Sequence, residues 1–261
     1  MTGNAFADYR ALGYLRQYFE IVDGENSELL AFHARAQSMI PAGGRMLEFG
    51  GGPTIYQLIS AAGRRREIHF VDYLEDNLAE IRRWLGAQPG RHDWAPFTLR
   101  ALEHEGAGGT VDDRHALIRS AVVRLGHCDA LADRQIEWAG TYDLVAVNFV
   151  LESITTDRDL WRQALARMLD LITPGGHLLM TALTGSASWR IGELDFPSTR
   201  LSAADIRHQI AACGMTLLLD EAVQPNFADP NDPTFTGYTG IYMAVARLDA
   251  APADSPSSAT P

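Results

Sequence analysis

The stretch MLEFGGGPTIYQLISAAGRRREIHFVDYLEDNLAEIRRW, Met46 to Trp84, orders the rest of the chain. A short apolar run, Arg45 to Phe49, meets three glycines, Gly50, Gly51 and Gly52. A helical pattern starts at Ile55, and a second apolar run, Ile68 to Val71, ends on Asp72. Strand, glycine turn, helix, strand, acid is the order of a site that holds a nucleoside by its ribose. Glycines after a strand let the backbone approach a ligand without Cβ clashes. The following helix presents unpaired N–H groups in its first turn. A carboxylate at the tip of the next strand can accept both ribose hydroxyls.

The turn also excludes two ligand classes. A dinucleotide fingerprint needs glycine where Ile55 stands, and a phosphate-binding loop needs a Lys-Ser/Thr pair that does not follow. The cradle is therefore expected to take a nucleoside without a pyrophosphate, and S-adenosylmethionine (SAM) is the candidate. The bland alternative is an ordinary glycine-rich α/β turn, against which Asp72, in register after the second strand, weighs.

A chain of 261 residues, 46% hydrophobic and 21% charged, has the composition of a globular core in one large domain. Acids outnumber bases 33 to 22, a net charge of −11 that repels nucleic acid and anionic membrane. Cys128 and Cys213 read as core residues, not a disulfide framework. No run approaches the roughly 18 apolar residues of a membrane helix, and MTGNAFADYRALGY has no basic start followed by an apolar block. The expectation is a cytoplasmic monomer. The scattered histidines show no metal-ligand spacing, and no G-x-S-x-G elbow occurs.

Along the chain, aromatics at helical spacing predict an amphipathic helix over 5–22, and Asn26 and Ser27 are expected to cap a second, Glu28 to Ile40. Strands are expected at Arg45–Phe49, Glu67–Asp72, Val122–Gly126, Tyr142–Phe149, His177–Leu183, Met215–Leu219 and Gly237–Leu248. Helices fall between them at Thr54–Ala62, Asp76–Leu85, Arg114–Val123, Asp157–Leu171 and Ser202–Cys213. Arg64 to Arg66 read as solvated surface at a helix end, and residues 86–110 as looser chain. Ile191 to Phe196 reads as a hairpin arm over the site. Asp129, just past a strand, suits either the exocyclic amine of adenine or a turn cap. This alternation, with an antiparallel final pair, gives one doubly wound α/β domain over 45–248. Residues 1–44 form a helical cap free to fold over the sheet as a lid, and 249–261 form a disordered tail.

Seven separated motifs resemble one group: YLRQYF from Tyr14, FGGGPTIYQLISA from Phe49, VDYLEDNL from Val71, GHCDA from Gly126, FVLESI from Phe149, TPGGHLL from Thr173 and SWRIGE from Ser188. They are similar to the class I SAM-dependent methyltransferases, and within these to the nicotinamide, phenylethanolamine and indolethylamine N-methyltransferases. The resemblance covers roughly residues 9 to 247. It implies a Rossmann-like seven-stranded sheet with an N-terminal lid. It places Gly50, Gly51 and Gly52 under the methionine and ribose of SAM, Tyr56 at the methionine end, Asp72 on the ribose diol, Asn77 near the ribose, and Tyr73, Asp129 and Ala130 around adenine. Tyr14, Tyr18 and Phe19 match the lid aromatics, with Phe19 lacking the usual hydroxyl. Asn148 replaces a small hydroxyl residue, and its amide could contact the amino acid end.

On the acceptor side the resemblance implies that Glu152 and Glu193 position an amine and that Trp189 forms an apolar wall. Two carboxylates attract a cationic amine, and one can take the proton that blocks its lone pair. TALTGSAS, Thr181 to Ser188, lacks the acid expected for nicotinamide. The expected function is SAM-dependent methylation of a small amine or N-heteroaromatic. The alternatives are a C-methyltransferase on an indole-like acceptor, a SAM-consuming cyclase or lyase of the azetidine-2-carboxylate type, and a non-catalytic SAM-binding protein. The loops Thr184–Phe196 and Gln224–Tyr238 are expected to line the acceptor pocket.

Overall fold

The computed structural model describes residues 6, 8–65, 67–106, 108–225 and 235–249. The expected tail from 250, residues 226–234 of the acceptor loop and Arg66 lie outside the described residues.

Nine strands form among the described residues: β1 Arg45–Phe49, β2 Glu67–Asp72, β3 Val122–His127, β4 Tyr142–Asn148, β5 Ile172–Thr184, β6 Ser188–Ile191, β7 Leu194–Pro197, β8 Met215–Val223 and β9 Gly240–Leu248. Seven make one sheet in the order β3-β2-β1-β4-β5-β9-β8, and β6 and β7 make a separate hairpin. The strands from β3 to β5 are parallel, and β9 runs antiparallel between β5 and β8. The chain steps outward from β1 to β3, then returns to β4 on the other side of β1. The carboxyl ends of β1 and β4 therefore flank a crevice, the place where open α/β sheets bind ligands.

Both faces of the sheet are covered, which is why its inner strands are mainly apolar. Met46 of β1 packs on one face with α3 (Tyr56–Ala62), α4 (Glu75–Leu85), α5 (Ala95–Glu105) and α6 (Val111–Ala121), together with α2 (Gly24–Met39). Leu47 and Phe49 pack on the other face with α7 (Arg158–Leu169) and α8 (Ala203–Ala212).

Four local expectations change. The first helix, α1, is only Ala11–Tyr18, because Arg10 is extended. Phe6 and Tyr9 precede it and pack on the hairpin, Phe6 stacking on Phe196 at 5.3 Å. The second helix starts at Gly24, capped by Asp23, whose side chain accepts from Asn26 N at 2.7 Å. Asn26 is buried and donates to Tyr18 O instead. The loose region holds α5, with Pro96 in its first turn, where no N–H is needed, and Gly106 at φ 60° at its end. Arg65 is buried, not solvated: it donates to Pro41 O and Gly43 O and to Gln37 Oε1.

Helix α1 is held at both ends. Ala11 N donates to Asp76 Oδ2 at 2.7 Å. Gln17 clasps the hairpin with both amide atoms, donating to Arg190 O at 2.8 Å and accepting from Gly192 N at 2.7 Å. Tyr18 OH donates to the same Arg190 O.

At the rim of the sheet, Gly126 of β3 lies against Trp138, and a Cβ there would come within 2.2 Å of the indole. Trp138 is fixed by its hydrogen bond to Tyr142 OH at 2.6 Å and by the Arg124 guanidinium 4.2 Å from its ring centre. Gly126→Ala should therefore destabilise the fold by about 1–3 kcal/mol, the usual cost of overpacking. Urea unfolding checks this; an unchanged midpoint would show that the indole moves freely.

Candidate functional site

The turn after β1 is tied to the end of β2: Gly50 N and Gly51 N both donate to Val71 O, at 2.9 and 3.2 Å. The three glycines serve different purposes. A Cβ on Gly50 would meet Val150 at 2.7 Å, and one on Gly51 would meet Phe70 at 2.3 Å. Those two positions are demanded by the protein's own packing. Gly52, at φ +65°, has only Thr54 Oγ1 at 4.0 Å and opens into a cavity. Beside it, Asp72 accepts from Gly52 N at 2.8 Å, Leu74 N at 2.8 Å and Asn77 Nδ2 at 2.9 Å. Burial raises the Asp72 carboxyl, and those three bonds oppose the rise. Asn77 Oδ1 is buried with no hydrogen-bond partner among the described residues.

The cavity has a volume of about 960 Å³. Gly50, Gly51, Gly52, Tyr56, Asp72, Tyr73, Asn77, Asp129, Ala130 and Asn148 all line it, as do Tyr14, Tyr18, Phe19 and Trp189. The aromatics form one continuous surface. Phe19 stacks on Tyr56 at 5.3 Å, Tyr14 lies 5.1 Å from Tyr18 and 5.7 Å from Phe19, and Trp189 meets Tyr14 edge-on at 6.2 Å. Asp129 is partly a turn cap, since Oδ1 accepts from Leu131 N at 2.9 Å. Phe149, at the end of β4, has φ +56°, a conformation a bulky residue adopts only when its surroundings impose it.

The two expected acids part company. Glu152 is completely buried in a single 3-10 turn, Leu151–Ser153, behind the cavity wall. Its Oε1 accepts from Leu183 N at 2.9 Å, while Oε2 has no partner among the described residues. Burial lifts it to about 7, and its charge acts on the Tyr14 and Tyr56 phenols. Glu193 is exposed in the turn between β6 and β7 and does not line the cavity. The two-residue turn aims it outward, so the pairing expected from SWRIGE does not form.

Asn148 is also less free than expected. Its Nδ2 donates to Glu48 Oε1 at 3.0 Å, and its Oδ1 accepts from Thr181 Oγ1 at 3.0 Å, leaving one N–H. Glu48 escaped the sequence reading, although an acid inside the apolar run RMLEF was the signal. It is fully buried, Oε2 has no partner among the described residues, and burial lifts it to about 8. His33, 5.6 Å from the Tyr56 ring, is pushed down to about 3 by burial and is neutral. Tyr9 and Glu25 line the cavity without having been anticipated, and Tyr238, at the end of the loop Gln224–Tyr238, lines it too.

The lining carries Glu20, Asp23, Glu25, Asp72 and Asp129 against Arg16 as the lining cation among the described residues, a field that favours cationic ligands. No lysine occurs in the sequence. Among the described residues, no group of three His, Cys, Asp or Glu could hold a metal ion. No helix there is long and apolar enough to cross a membrane. The residues present fit a ribose-bearing ligand: Gly52 is open toward the cavity, and Asn77 Oδ1 is an acceptor without a donor beside the Asp72 carboxylate.

Comparison with known proteins bears on the same site. The model of the NNMT/PNMT/TEMT family matches residues 2–248. Indolethylamine N-methyltransferase of Mus musculus is 30% identical over 207 residues, covering 77% of this chain and 76% of that one. Nicotinamide N-methyltransferase of Homo sapiens is 28% identical over 207 residues, covering 78% and 77%. Among solved structures, the DhpI-SAM-HEP complex shares the fold with a TM-score of 0.57 at 14% identity, covering 95% of this chain and 100% of that one.

Glu48 gives a test of the site's electrostatics. Its folded carboxyl, at about 8, stands above the ordinary 4.5, so the folded state keeps a proton that the unfolded state has lost. Stability from this group is full at low pH and is lost as pH rises toward about 8. Glu48→Gln cannot titrate. It should match the wild type near pH ~4 and exceed it by on the order of 2–4 kcal/mol near pH ~9. Thermal unfolding across pH checks this; parallel curves would mean that Glu48 is not held protonated.

Proposed function

The chain belongs to the NNMT/PNMT/TEMT family, and from that membership we propose that it transfers the methyl group of SAM to the nitrogen of a small amine or N-heteroaromatic acceptor. The observation carrying this reading is a single cavity with the glycine turn and Asp72 at one end and, behind its wall, a buried carboxylate near neutrality. SAM, when bound, supplies an electrophilic methyl group.

The cofactor half follows from the acceptors that are free. A carboxylate has about four acceptor sites, and Asp72 uses three on Gly52, Leu74 and Asn77. Asp72, with its remaining site, and Asn77, with Oδ1, would hold the ribose hydroxyls. Tyr73, Asp129 and Ala130 surround the adenine. Tyr56 and the spare N–H of Asn148 face the amino acid end, with Gly50, Gly51 and Gly52 beneath. Residues 1–44 act as the cap of the core at 45–248: α1 and α2 carry Tyr14, Tyr18 and Phe19 or hold them in place, and their closure excludes water.

The acceptor half rests on Glu152. A protonated amine has no lone pair, and a carboxyl near 7 takes a proton at neutral pH without holding it too tightly. Trp189 and Tyr14, set edge-on, give an apolar corner suited to an aromatic body and to a cation over a ring face. Glu193 has no part in this reading.

Two measurements test the proposal. In Asp72→Ala, calorimetry should show SAM affinity lowered at least ~10-fold, in line with losing a charge-assisted bond; unchanged affinity would remove the cofactor assignment. With an amine panel, the wild type should release S-adenosylhomocysteine (SAH) only when an acceptor is present, at a rate rising through pH ~7. Glu152→Gln should lower kcat about 100-fold and abolish that rise, with little effect on SAM affinity. Methylthioadenosine release without acceptor would assign SAM cleavage instead.

A further inference from the structure

We propose that Tyr9 completes the ribose half of the cofactor site: its phenol O–H donates to a ribose hydroxyl oxygen of bound SAM, so that the cap recognises the intact diol. The inference rests on the methyl-transfer reading and deepens it by adding a hydrogen-bond donor to the two acceptors already assigned to the ribose.

Each ribose hydroxyl both donates and accepts. The groups that fix this corner of the cavity offer it acceptors. Asp72 keeps one of about four sites, and Asn77 Oδ1 is buried without a partner among the described residues. The N–H groups of Gly52 and Leu74 and one N–H of Asn77 are spent on Asp72. A diol bound to Asp72 and Asn77 Oδ1 alone would donate twice and accept nothing, and its desolvated oxygens would cost affinity.

Tyr9 is placed to supply the donor. It is buried and lines the same cavity as Asp72 and Asn77. Its ring meets Phe196 edge-on at 6.2 Å and lies 6.3 Å from Tyr14. It shares a cluster with Leu74, whose N–H holds Asp72. Two residues on, Ala11 N is tied to Asp76 Oδ2 at 2.7 Å, which anchors this part of the cap against the start of α4. Burial raises the phenol well above its usual range; Tyr14, Asp72 and Asp76 add to the rise, and a side-chain hydrogen bond with Asn77 opposes it. The hydroxyl is therefore protonated and stands beside the Asp72–Asn77 pair. Because Asn77 Oδ1 has no partner among the described residues, that bond is an Asn77 N–H on the phenol oxygen. The phenol O–H is left to donate to a ligand. Packing against the hairpin needs only the ring, which phenylalanine also has; the hydroxyl is what the ribose uses.

The test titrates the full chain calorimetrically with SAH and with its 2′-deoxy and 3′-deoxy analogues, in the wild type and in Tyr9→Phe. The variant should bind SAH about 10-fold more weakly, the loss expected when a buried hydroxyl oxygen goes unpaired. It should bind one of the two deoxy analogues within ~2-fold of the wild type, because the oxygen that Tyr9 would meet is gone. A general loosening of the cap would weaken all three ligands alike, so the comparison holds even if the thermal midpoint of the variant falls. Unchanged SAH affinity in Tyr9→Phe, or an equal loss for SAH and both analogues, would overturn the assignment. Failure of the wild type to bind SAH at all would instead overturn the methyl-transfer reading beneath it.

Discussion

The Asp72 carboxylate accepts three hydrogen bonds from three different pieces of chain: the glycine turn through Gly52, the start of α4 through Leu74, and the body of α4 through Asn77. The open end of the sheet depends on this joint. It sets where Gly52 faces the cavity and where Asn77 presents its oxygen. Through Asp76, one residue before Asn77, it also sets where α1 is tied down. A carboxylate with fewer internal donors would be free to turn, and burial would then favour its neutral form. Here the donors that fix its direction also offset the cost of burying its charge.

The same end of the molecule concentrates acids that burial pushes upward: Glu48, Asp72 and Glu152, with no Lys or Arg bonded to any of them among the described residues. Buried carboxylates without cationic partners are costly, and their persistence together is characteristic of sites whose ligands bring the compensating charge. The strained Phe149 at the tip of β4 belongs to the same pattern, since rare backbone conformations survive only where packing imposes them.

The sheet was legible because its inner strands are short, mainly apolar runs, and the glycine turn with Asp72 marked the crevice directly. That the glycine turn, Asp72 and Asn77 line one cavity was legible because they follow one another at two adjacent strand ends. The placement of the two acids expected on the acceptor side was not. Glu193 and Glu152 look alike in sequence, and only the turn geometry of the hairpin sends one outward while the 3-10 turn buries the other. Glu25 lies far in sequence from Tyr238, and nothing local marks it as the acceptor of that hydroxyl. Arg65 sits in a run of three arginines that reads as surface, yet the orphan carbonyls of Pro41 and Gly43 draw it inward. Helix α5 was missed because its proline argues against a helix except in the first turn, where it stands.

Gln17 joins α1 to the hairpin with a donor and an acceptor on one rigid amide, so the segment bearing Tyr14 and the segment bearing Trp189 move as one body. Both rings line the cavity, in edge-on contact at 6.2 Å. Whatever free energy one ligand contributes to seating that body is available to the other, and linkage makes the assistance reciprocal. The clasp thus turns two adjoining half-sites into a thermodynamically coupled pair, in which the order of filling affects the rates of the two binding steps but not their summed affinity.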